Sequence, residues 1–236
     1  MEYVYETHLH TSEASACGVT TGAEAVSAYK KLGYSGIFVT DHFFNGNSAI
    51  DDSLSWKEKV EAYCKGYENA KRAAEAANAE DSENSDFSVF FGIEFNFSGD
   101  EYLIYGITKE WLIAHPEIMR LSHNGLFKLI DSEGGLMVQA HPFRKRGYIK
   151  SINLHPNDVH AVEVYNASNE PEENVQALEY AAQHHLPGTS GSDMHNVNKI
   201  HCLGGTAFEE KLETVQDYVS RIKKGEGFRP LPPKYY

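Results

Sequence analysis

The chain has few cysteines and few basic residues for its length. Its three cysteines, Cys17, Cys64 and Cys202, stand far apart among 236 residues and form no Cys-x-x-Cys pattern. This excludes a disulfide framework and a cysteine zinc knuckle. Lysine and arginine number 21 against 34 acidic residues, which gives a formal net charge of −13. A surface that binds polyphosphates needs the opposite charge, so we expect no nucleic-acid partner.

Long hydrophobic runs are missing as well. No stretch approaches the roughly 20 apolar residues that span a bilayer, and the first residues lack the regions of a signal peptide. We therefore expect no membrane segment and a cytoplasmic location. The hydrophobic content of 41% is enough for a sizeable core. At this length one α/β domain covering residues 1–236 is expected, because no repeat or linker marks a boundary.

Six short apolar runs end in histidine, an acid or asparagine. The residues at these ends are His8 and His10, Asp41 and His42, Glu94, His141, Asn166, and Asp193 and His195. Buried parallel strands read as continuous apolar runs. In a closed α/β barrel the side chains at the carboxyl ends of the strands converge on one face. The sequence therefore predicts a metal site on that face.

Helical patterns lie between these runs, and the alternation of strands and helices predicts a parallel sheet. The predicted helices cover residues 21–32, 56–77, 122–133, 172–184 and 212–224. The polar stretch 80–86 is predicted to be a surface loop. Residues 102–105 are predicted to pair in a hairpin with the run before Glu94. Residues 204–208 are expected to form the last strand, followed by an extended tail at 230–236.

Spacing supports the metal interpretation at two of the strand ends. His8 and His10 are two residues apart, so on a strand both imidazoles point to the same side and can ligate one ion. Asp193 and His195 repeat this spacing. Two unconnected surface histidines are the alternative for any single His-x-His pair. A carboxylate at Glu94 has the chemistry to bridge two ions.

Five motifs, in order, resemble those of the PHP (polymerase and histidinol phosphatase) family. They are THLHT at 7–11, TDH at 40–42, GIE at 92–94, AHPFR at 140–144 and GSDMH at 191–195. Each motif alone is weak, but five in family order across nearly the whole domain are specific. The resemblance implies a TIM-like, distorted (β/α)7 barrel with two or three divalent ions at its carboxyl face. It also implies metal-dependent hydrolysis of phosphoesters.

The resemblance also implies a set of metal ligands. The implied ligands are His8, His10, His42, Glu94, His141, Asp193 and His195. Glu94 is the expected bridge between ions. Asp41 is expected to orient a ligand histidine or to accept a proton, and His195 is the alternative proton carrier. This mixture of imidazole and carboxylate suits zinc, manganese or iron.

Two positions depart from the family pattern. The family places an acid or histidine where this chain has Ser15 and Ala16, and a further family histidine is replaced within 101–103. Glu13 is a candidate replacement ligand, and an exposed acid is an equally good interpretation of it. Cys17 is a softer alternative that as thiolate favours zinc. Both departures put a third metal position in doubt.

A basic triplet, Arg144, Lys145 and Arg146, follows the His141-Pro142-Phe143 segment. An exposed basic loop is its plain interpretation, but the resemblance places the triplet on the catalytic face of a phosphoesterase. Arg144 occupies the arginine of the family motif and is the predicted phosphate ligand, because its planar fork matches phosphate. Arg146 and His201 are weaker substrate-binding candidates. The remaining histidines, His115, His123, His155, His160, His184 and His185, are expected to be surface or structural residues.

Together these patterns predict a cytoplasmic phosphoesterase acting on a small phosphorylated metabolite through a metal-activated hydroxide. Arg144 and the metals would stabilise the charge that develops on phosphate. Histidinol-phosphate phosphatase is the specific version of this chemistry. A proofreading nuclease is a second alternative, and the acidic charge counts against it. A non-catalytic metal-binding regulatory domain is an alternative of another class.

Overall fold

The structure is a computed structural model that describes residues 2–80, 86–147 and 149–235. These residues contain one nine-stranded sheet with the strand order β7-β6-β5-β4-β3-β2-β1-β8-β9. The strands are β1 (Tyr3–Leu9), β2 (Gly36–Val39), β3 (Ser88–Phe97), β4 (Asp100–Tyr105), β5 (Leu136–Gln139), β6 (Ala161–Asn166), β7 (Gly188–Gly191), β8 (Cys202–Phe208) and β9 (Phe228–Tyr235). Most of the predicted loop at 80–86 lies outside the described residues.

Seven α-helices and two 3-10 helices connect the strands in the described parts of the chain. The α-helices are α1 (Gly22–Lys31), α2 (Trp56–Tyr63), α3 (Lys65–Glu80), α4 (Lys109–Ala114), α5 (His123–Ser132), α6 (Pro171–Gln183) and α7 (Val215–Lys224). The 3-10 helices are Pro116–Arg120 and Val197–Lys199. Side-chain caps explain where some of the helices begin. Thr21 before α1 and Thr214 before α7 both accept a backbone hydrogen bond within a capping box.

The sheet is barrel-like and nearly closed. Strands β1 to β3 pair in parallel, as do β5 to β7, whereas β4 runs antiparallel to both β3 and β5. The predicted α/β barrel architecture is therefore confirmed, but β4 interrupts a strict sevenfold β/α repeat. A parallel bridge between Leu9 and Met194 joins the end of β1 to the segment after β7. The hydroxyl of Thr7 also donates to the carbonyl of Ser190 at 2.9 Å.

The hairpin predicted at 102–105 is confirmed, since Ile93 pairs with Ile104 across β3 and β4. The expected last strand is β8, but it is followed by β9, so the predicted extended tail is an additional edge strand. The long helix predicted at 56–77 is instead two helices that meet at Cys64. This break brings Gly66 so close to Thr11 that a Cβ atom would overlap its hydroxyl.

Two large clusters of buried side chains sit on either side of the sheet. One contains Tyr5, Phe38 and Tyr105 and packs against Tyr218 of α7. The other contains Ile93 and the residues that contact α4 and α5. Ile104 and Tyr105, adjacent on β4, belong to different clusters, as the alternation of side chains along a strand requires. Within the described parts of the chain, none of the helices combines the length and apolar character needed to span a membrane.

Candidate metal centre

The first strand delivers two fully buried imidazoles to the carboxyl end of the barrel. His8 and His10 are both 0% exposed, and their Nε2 atoms lie 3.2 Å apart. The predicted same-side placement is therefore what the structure shows. Gly191 of β7 makes room for them, because a Cβ atom there would come within 2.5 Å of the His8 Cβ. The site thus lies where β7 closes against β1.

Glu94 lies at the middle of the cluster. One carboxylate oxygen, Oε1, is 3.1 Å from His8 Nε2 and 3.2 Å from His141 Nε2. The other, Oε2, is 3.5 Å from His10 Nε2 and 2.6 Å from His42 Nδ1. The two oxygens therefore face different histidines, which is the arrangement that a carboxylate bridging two ions requires.

Two buried atoms at this point have no hydrogen-bond partner. His42 Nδ1 and Glu94 Oε2 are close to each other, yet neither makes a hydrogen bond of acceptable geometry. Buried polar atoms are nearly always satisfied, so an orphaned donor and acceptor side by side call for a missing partner. Nitrogen and oxygen atoms that both point at a common ion have this geometry. The donor set therefore fits a divalent metal.

Asp193 and His195 close the cluster from the end of β7. Asp193 Oδ1 is 3.1 Å from His10 Nε2 and 3.6 Å from His8 Nε2. The ring of His195 stacks on that of His10 with centroids 4.3 Å apart, and the His42 ring lies at the same distance on His10. His10, His42 and His195 each offer a ligand atom within 4.8 Å of the others.

The backbone is strained at two of the ligands. His141 has φ +29° and Asp193 has φ +54°, although neither is glycine. Such conformations cost of order 1–3 kcal/mol and persist where the surroundings determine them. At both positions the chain turns sharply off a strand end, which aims the side chain back into the barrel mouth.

Carboxylates behind the ligands set their orientation. Glu163 Oε1 is 3.0 Å from His8 Nδ1, and its Oε2 accepts the backbone N–H of His141 at 3.1 Å. Asp41 acts one step further back: it accepts the Ser15 hydroxyl at 2.6 Å, and Ser15 Oγ lies 3.1 Å from His10 Nδ1. Glu163 is absent from the sequence prediction because it lies inside β6 rather than at its end.

The two departures from the family pattern contain possible ligands. Glu101 Oε1 is 3.7 Å from His42 Nδ1, and Oε2 is 3.5 Å from His141 Nε2. His42, Glu94 and Glu101 form one of the groups that can hold an ion. Burial alone would raise the pKa of the Cys17 thiol, but the neighbouring imidazoles of His195 and His42 lower it to about 6. A carboxylate and a thiol therefore stand where family members have other donors.

Glu13, offered above as a replacement ligand, lies elsewhere. Its carboxylate accepts the N–H of Gly22 at 3.2 Å and the side-chain amide of Asn69 at 2.9 Å. These bonds tie the start of α1 to α3. Among the described residues, Glu13 belongs to none of the groups that could hold a metal. These bonds give Glu13 a structural role, and none of them places it beside the candidate ligands.

Arg144 also differs from its prediction. Its Nη1 donates to Asp193 Oδ2 at 2.6 Å, its Nη2 to Asn166 at 2.9 Å and its Nε to Asn169 at 2.8 Å. The residue is only 8% exposed. The fork predicted to hold phosphate is therefore occupied by protein acceptors, and its contact is with a candidate metal ligand.

The weaker substrate candidates lie away from the ligands. Arg146 donates from Nη1 to Glu173 at 3.2 Å and from Nη2 to the Ser168 carbonyl at 2.9 Å. His201 is exposed just before β8 and belongs to none of the ligand groups found in the described residues. Neither contact supports the predicted substrate role.

The electrostatics of the centre favour ionised carboxylates. Burial alone would raise the pKa of Glu94, but His42, His8 and the hydrogen bond from His141 hold it well below its usual range. Burial opposes the charge on Asp193 as well, and Arg144, His8 and His10 lower its pKa. Metal ligands must be deprotonated, so both carboxylates are in the form that binds cations.

The pKa values of the imidazoles depend on the neighbouring carboxylates and on the Cys17 thiol. Burial would lower the pKa of His42, but Glu94 and Cys17 raise it to about 11. His195 is raised to about 9 against its burial, first by the Cys17 hydrogen bond and then by Asp193. Burial raises the pKa of Asp41 to about 6 in spite of hydrogen bonds from Ser15 and Thr11.

Comparison with known proteins adds independent information. A family model described as PHP-associated matches residues 171–226, from α6 through α7. A search of curated proteins gives no match. Solved structures with a similar fold include a two-domain protein from Bacteroides vulgatus with a predicted PHP-like metal-dependent phosphoesterase. That protein is 14% identical with a TM-score of 0.66, over 98% of this chain and 65% of its own.

Two other similar structures are PsfC from Pseudomonas syringae and the lesion-specific endonuclease PfuEndoQ from Pyrococcus furiosus. PsfC is 17% identical with a TM-score of 0.60, covering 98% of this chain and 91% of its own. PfuEndoQ is 14% identical with a TM-score of 0.57, covering 99% of this chain and 58% of its own. The chain thus spans less than two thirds of the length of the Bacteroides and Pyrococcus proteins.

The match to the PHP-associated family, the shared barrel-like fold and the five motifs gathered in one centre agree with one another. Residues 171–226 therefore match the PHP-associated family, and the chain as a whole shares its fold with the solved structures named above.

Proposed function

We propose that this chain hydrolyses the phosphate ester of a small metabolite with two or three divalent ions. The observation that carries the proposal is the convergence of buried imidazoles and carboxylates from separate strands onto Glu94. Its oxygens contact His8 and His42 on two sides, and at the His42 contact both Glu94 Oε2 and His42 Nδ1 lack a hydrogen-bond partner. A purely structural cluster has no need of such orphaned atoms.

Divalent ions held by these side chains would supply a water of lowered pKa and neutralise charge on the phosphate. The protein's own part is to fix the donors. Glu163 keeps the proton of His8 on Nδ1, so that Nε2 faces the centre. Arg144 holds Asp193, and Ser15 links Asp41 to His10.

His195 is the proposed proton donor to the departing alkoxide. Its side chain is 29% exposed, whereas those of His8 and His10 are fully buried, so a leaving group can approach it. Its Nδ1 lies 2.8 Å from the Asp193 carbonyl, which leaves Nε2 free to face the centre. Asp41, the other candidate, is 1% exposed and fully engaged by Thr11 and Ser15.

Charge supports a small substrate. The net charge of −13 disfavours a long polyanion, since nucleic-acid binding depends on neutralising many phosphates. Arg144 beside the centre and Arg146, two residues further along the chain, are both paired with carboxylates. A nuclease remains the second candidate, because PfuEndoQ, a lesion-specific endonuclease, has a similar fold.

The test uses full-length protein that is stripped with a chelator and reloaded with manganese, zinc or iron. We expect at least two ions per chain and release of phosphate from members of a panel of small phosphomonoesters, histidinol phosphate included. Single-stranded and duplex oligonucleotides, with and without base lesions, form the other arm. Cleavage of the oligonucleotides alone would favour the nuclease. Metal binding without turnover of any substrate would favour the regulatory domain.

Glu94→Gln is the matched control for this experiment. The substitution keeps the shape of the side chain but removes the charge that contacts His8 and His42. It should lose more than one ion per chain together with the hydrolysis. Full activity in this variant would contradict the proposed role of the centre.

A further inference from the structure

A second group of possible metal ligands lies outside the centre described above. His123 is the first residue of α5, and His155 and Asp158 belong to the connection between β5 and β6. One ligand atom from each lies within 4.8 Å of the other two. The two imidazoles stack with centroids 4.2 Å apart, and His123 Nδ1 is 4.0 Å from Asp158 Oδ2.

His123 is unusual because neither of its ring nitrogens has a partner. Both Nδ1 and Nε2 are buried and make no hydrogen bond, and the side chain is only 11% exposed. The sequence prediction of a surface histidine is therefore wrong. A buried imidazole normally satisfies at least one nitrogen, so two orphaned atoms point to a missing partner.

The position of His123 in the first turn of α5 has one electrostatic consequence. The positive end of the α5 dipole weakly opposes a bound cation, and the carboxylate of Asp158, 4.0 Å from His123 Nδ1, offsets it.

Neighbouring side chains hold Asp158 and His123 in place. Asn124 donates its side-chain amide to Asp158 Oδ1 at 2.6 Å, which leaves Oδ2 on the side of His123. The ring of Tyr102 packs on His123 with centroids 4.5 Å apart, and its buried hydroxyl also lacks a partner. Such outer contacts orient a ligand carboxylate and shape the site.

The cluster is separate from the phosphoesterase centre. Tyr102 follows Glu101 on β4, and successive strand residues point to opposite faces of the sheet. Glu101 faces His42 and His141 inside the barrel, whereas Tyr102 contacts His123 on the outside. The two groups of ligands therefore lie on opposite sides of one strand.

We propose that His123, His155 and Asp158 form a second divalent transition-metal site that ties the start of α5 to the β5–β6 connection. Two imidazoles and one carboxylate are the ligands of many zinc sites with an open position, and they also suit cobalt and nickel. Ligands about 2.1 Å from one tetrahedral ion stand about 3.4 Å apart. Small rotations of the His123 and Asp158 side chains would shorten the 4.0 Å distance between His123 Nδ1 and Asp158 Oδ2 to this value.

The test counts ions in the stripped full-length protein after loading with Co²⁺ alone or Zn²⁺ alone. Wild-type protein should bind one more ion per chain than His155→Gln or Asp158→Asn. Phosphatase turnover should stay unchanged, because neither residue touches the centre. Crystals soaked in Zn²⁺ should show an anomalous peak among the three side chains. Equal ion counts with no such peak would show that the histidines only stack against Tyr102.

His115→Gln is the matched control. His115 also stacks on an aromatic ring, that of Trp111 at 4.3 Å, and lies 2.7 Å from the carboxylate of Glu117. It therefore resembles the proposed ligands except that, among the described residues, it belongs to none of the groups that could hold a metal. Its ion count should equal that of the wild type, and a loss of one ion would contradict the assignment. Melting temperatures of the metal-free variants report whether each one folds.

Discussion

The Nδ1 atom of His8 lies 3.0 Å from Oε1 of Glu163, and both side chains are 0% exposed. Burial would raise the pKa of Glu163, but His8 and the other groups around it hold it below its usual value. The ionised carboxylate therefore accepts the Nδ1 proton and fixes the tautomer of His8. A ligand histidine is usually held in this way by a carboxylate or carbonyl behind it.

Glu163→Gln should weaken metal binding although Glu163 is not a ligand. A neutral amide holds the His8 proton less strongly, and loss of such a partner typically lowers metal affinity by about 10–100-fold. Competition with a chromophoric chelator measures the change. Glu173→Gln is the control, since Glu173 is a buried carboxylate that binds Lys145 and Arg146 instead. Identical affinities for both variants would refute the role of Glu163.

Arg144→Ala should reduce both stability and metal affinity. It leaves the buried carboxylate of Asp193 without its partner, and breaking a buried ion pair costs about 3–5 kcal/mol. Denaturant unfolding of the metal-free protein measures this loss. Arg144→Lys should recover only part of it, because one ammonium cannot also reach Asn166 and Asn169.

Arg146→Ala is the comparison for Arg144, and it should leave metal affinity unchanged. A higher KM with normal metal affinity in Arg144→Ala would instead restore the original assignment of Arg144 to phosphate.

Glu101→Gln and Glu13→Gln should have opposite effects on metal content. Glu101 forms with His42 and Glu94 a group that could hold an ion, so its neutralisation should remove one ion per chain and lower turnover. Glu13 caps α1 and should leave the ion count unchanged. Elemental analysis after reloading decides between them. The reverse pattern would return Glu13 to the ligand set.

Cys17 should be the reactive thiol of the metal-free protein. Burial alone would raise its pKa, but hydrogen bonds with His195 and His42 lower it to about 6. The thiolate therefore forms as the pH rises through 6, and alkylation by iodoacetamide should be nearly at its maximum rate by pH 7. An ordinary thiol reaches this point only above about pH 8.5.

Cys64 and Cys202 serve as internal comparisons for Cys17. Burial raises the pKa of Cys64 to about 12, and it also raises the pKa of Cys202 above its usual value. Both thiols should therefore react slowly at neutral pH. Zinc loading should protect Cys17 if its thiolate binds the ion. Labelling that rises only in alkaline solution, at all three positions alike, would contradict the assignment.

The residues at the strand ends could be predicted from the sequence because a barrel repeats one rule along the chain. His8, His141 and Asp193 each follow an apolar run, and the fold brings such ends together. Glu101 could not be found in this way. It lies near the start of β4, and it faces His42 only because the antiparallel hairpin sets it opposite Asn96.

Glu163 and the partner of Arg144 could not be predicted for another reason. Inside β6, Glu163 looks like the polar residue of an alternating strand, and nothing local shows that the barrel interior holds His8 beside it. Arg144 follows the motif as predicted, but its partner Asp193 lies 49 residues further along the chain. Local spacing identifies which groups are polar, whereas only the closed sheet determines which groups meet.

The near closure of the sheet also affects the order in which the molecule can fold. The bond from Thr7 to Ser190 joins residues 183 positions apart, and that from Ser192 to Glu6 joins residues 186 apart. Contacts of such separation carry the largest loop-closure entropy and tend to form late. His8, His10 and Asp193 come together only where β1 meets β7 and the segment after it. An ion that needs all three would therefore bind only once the first and last strands of the barrel have met, and its binding would stabilise the complete fold over partly folded chains.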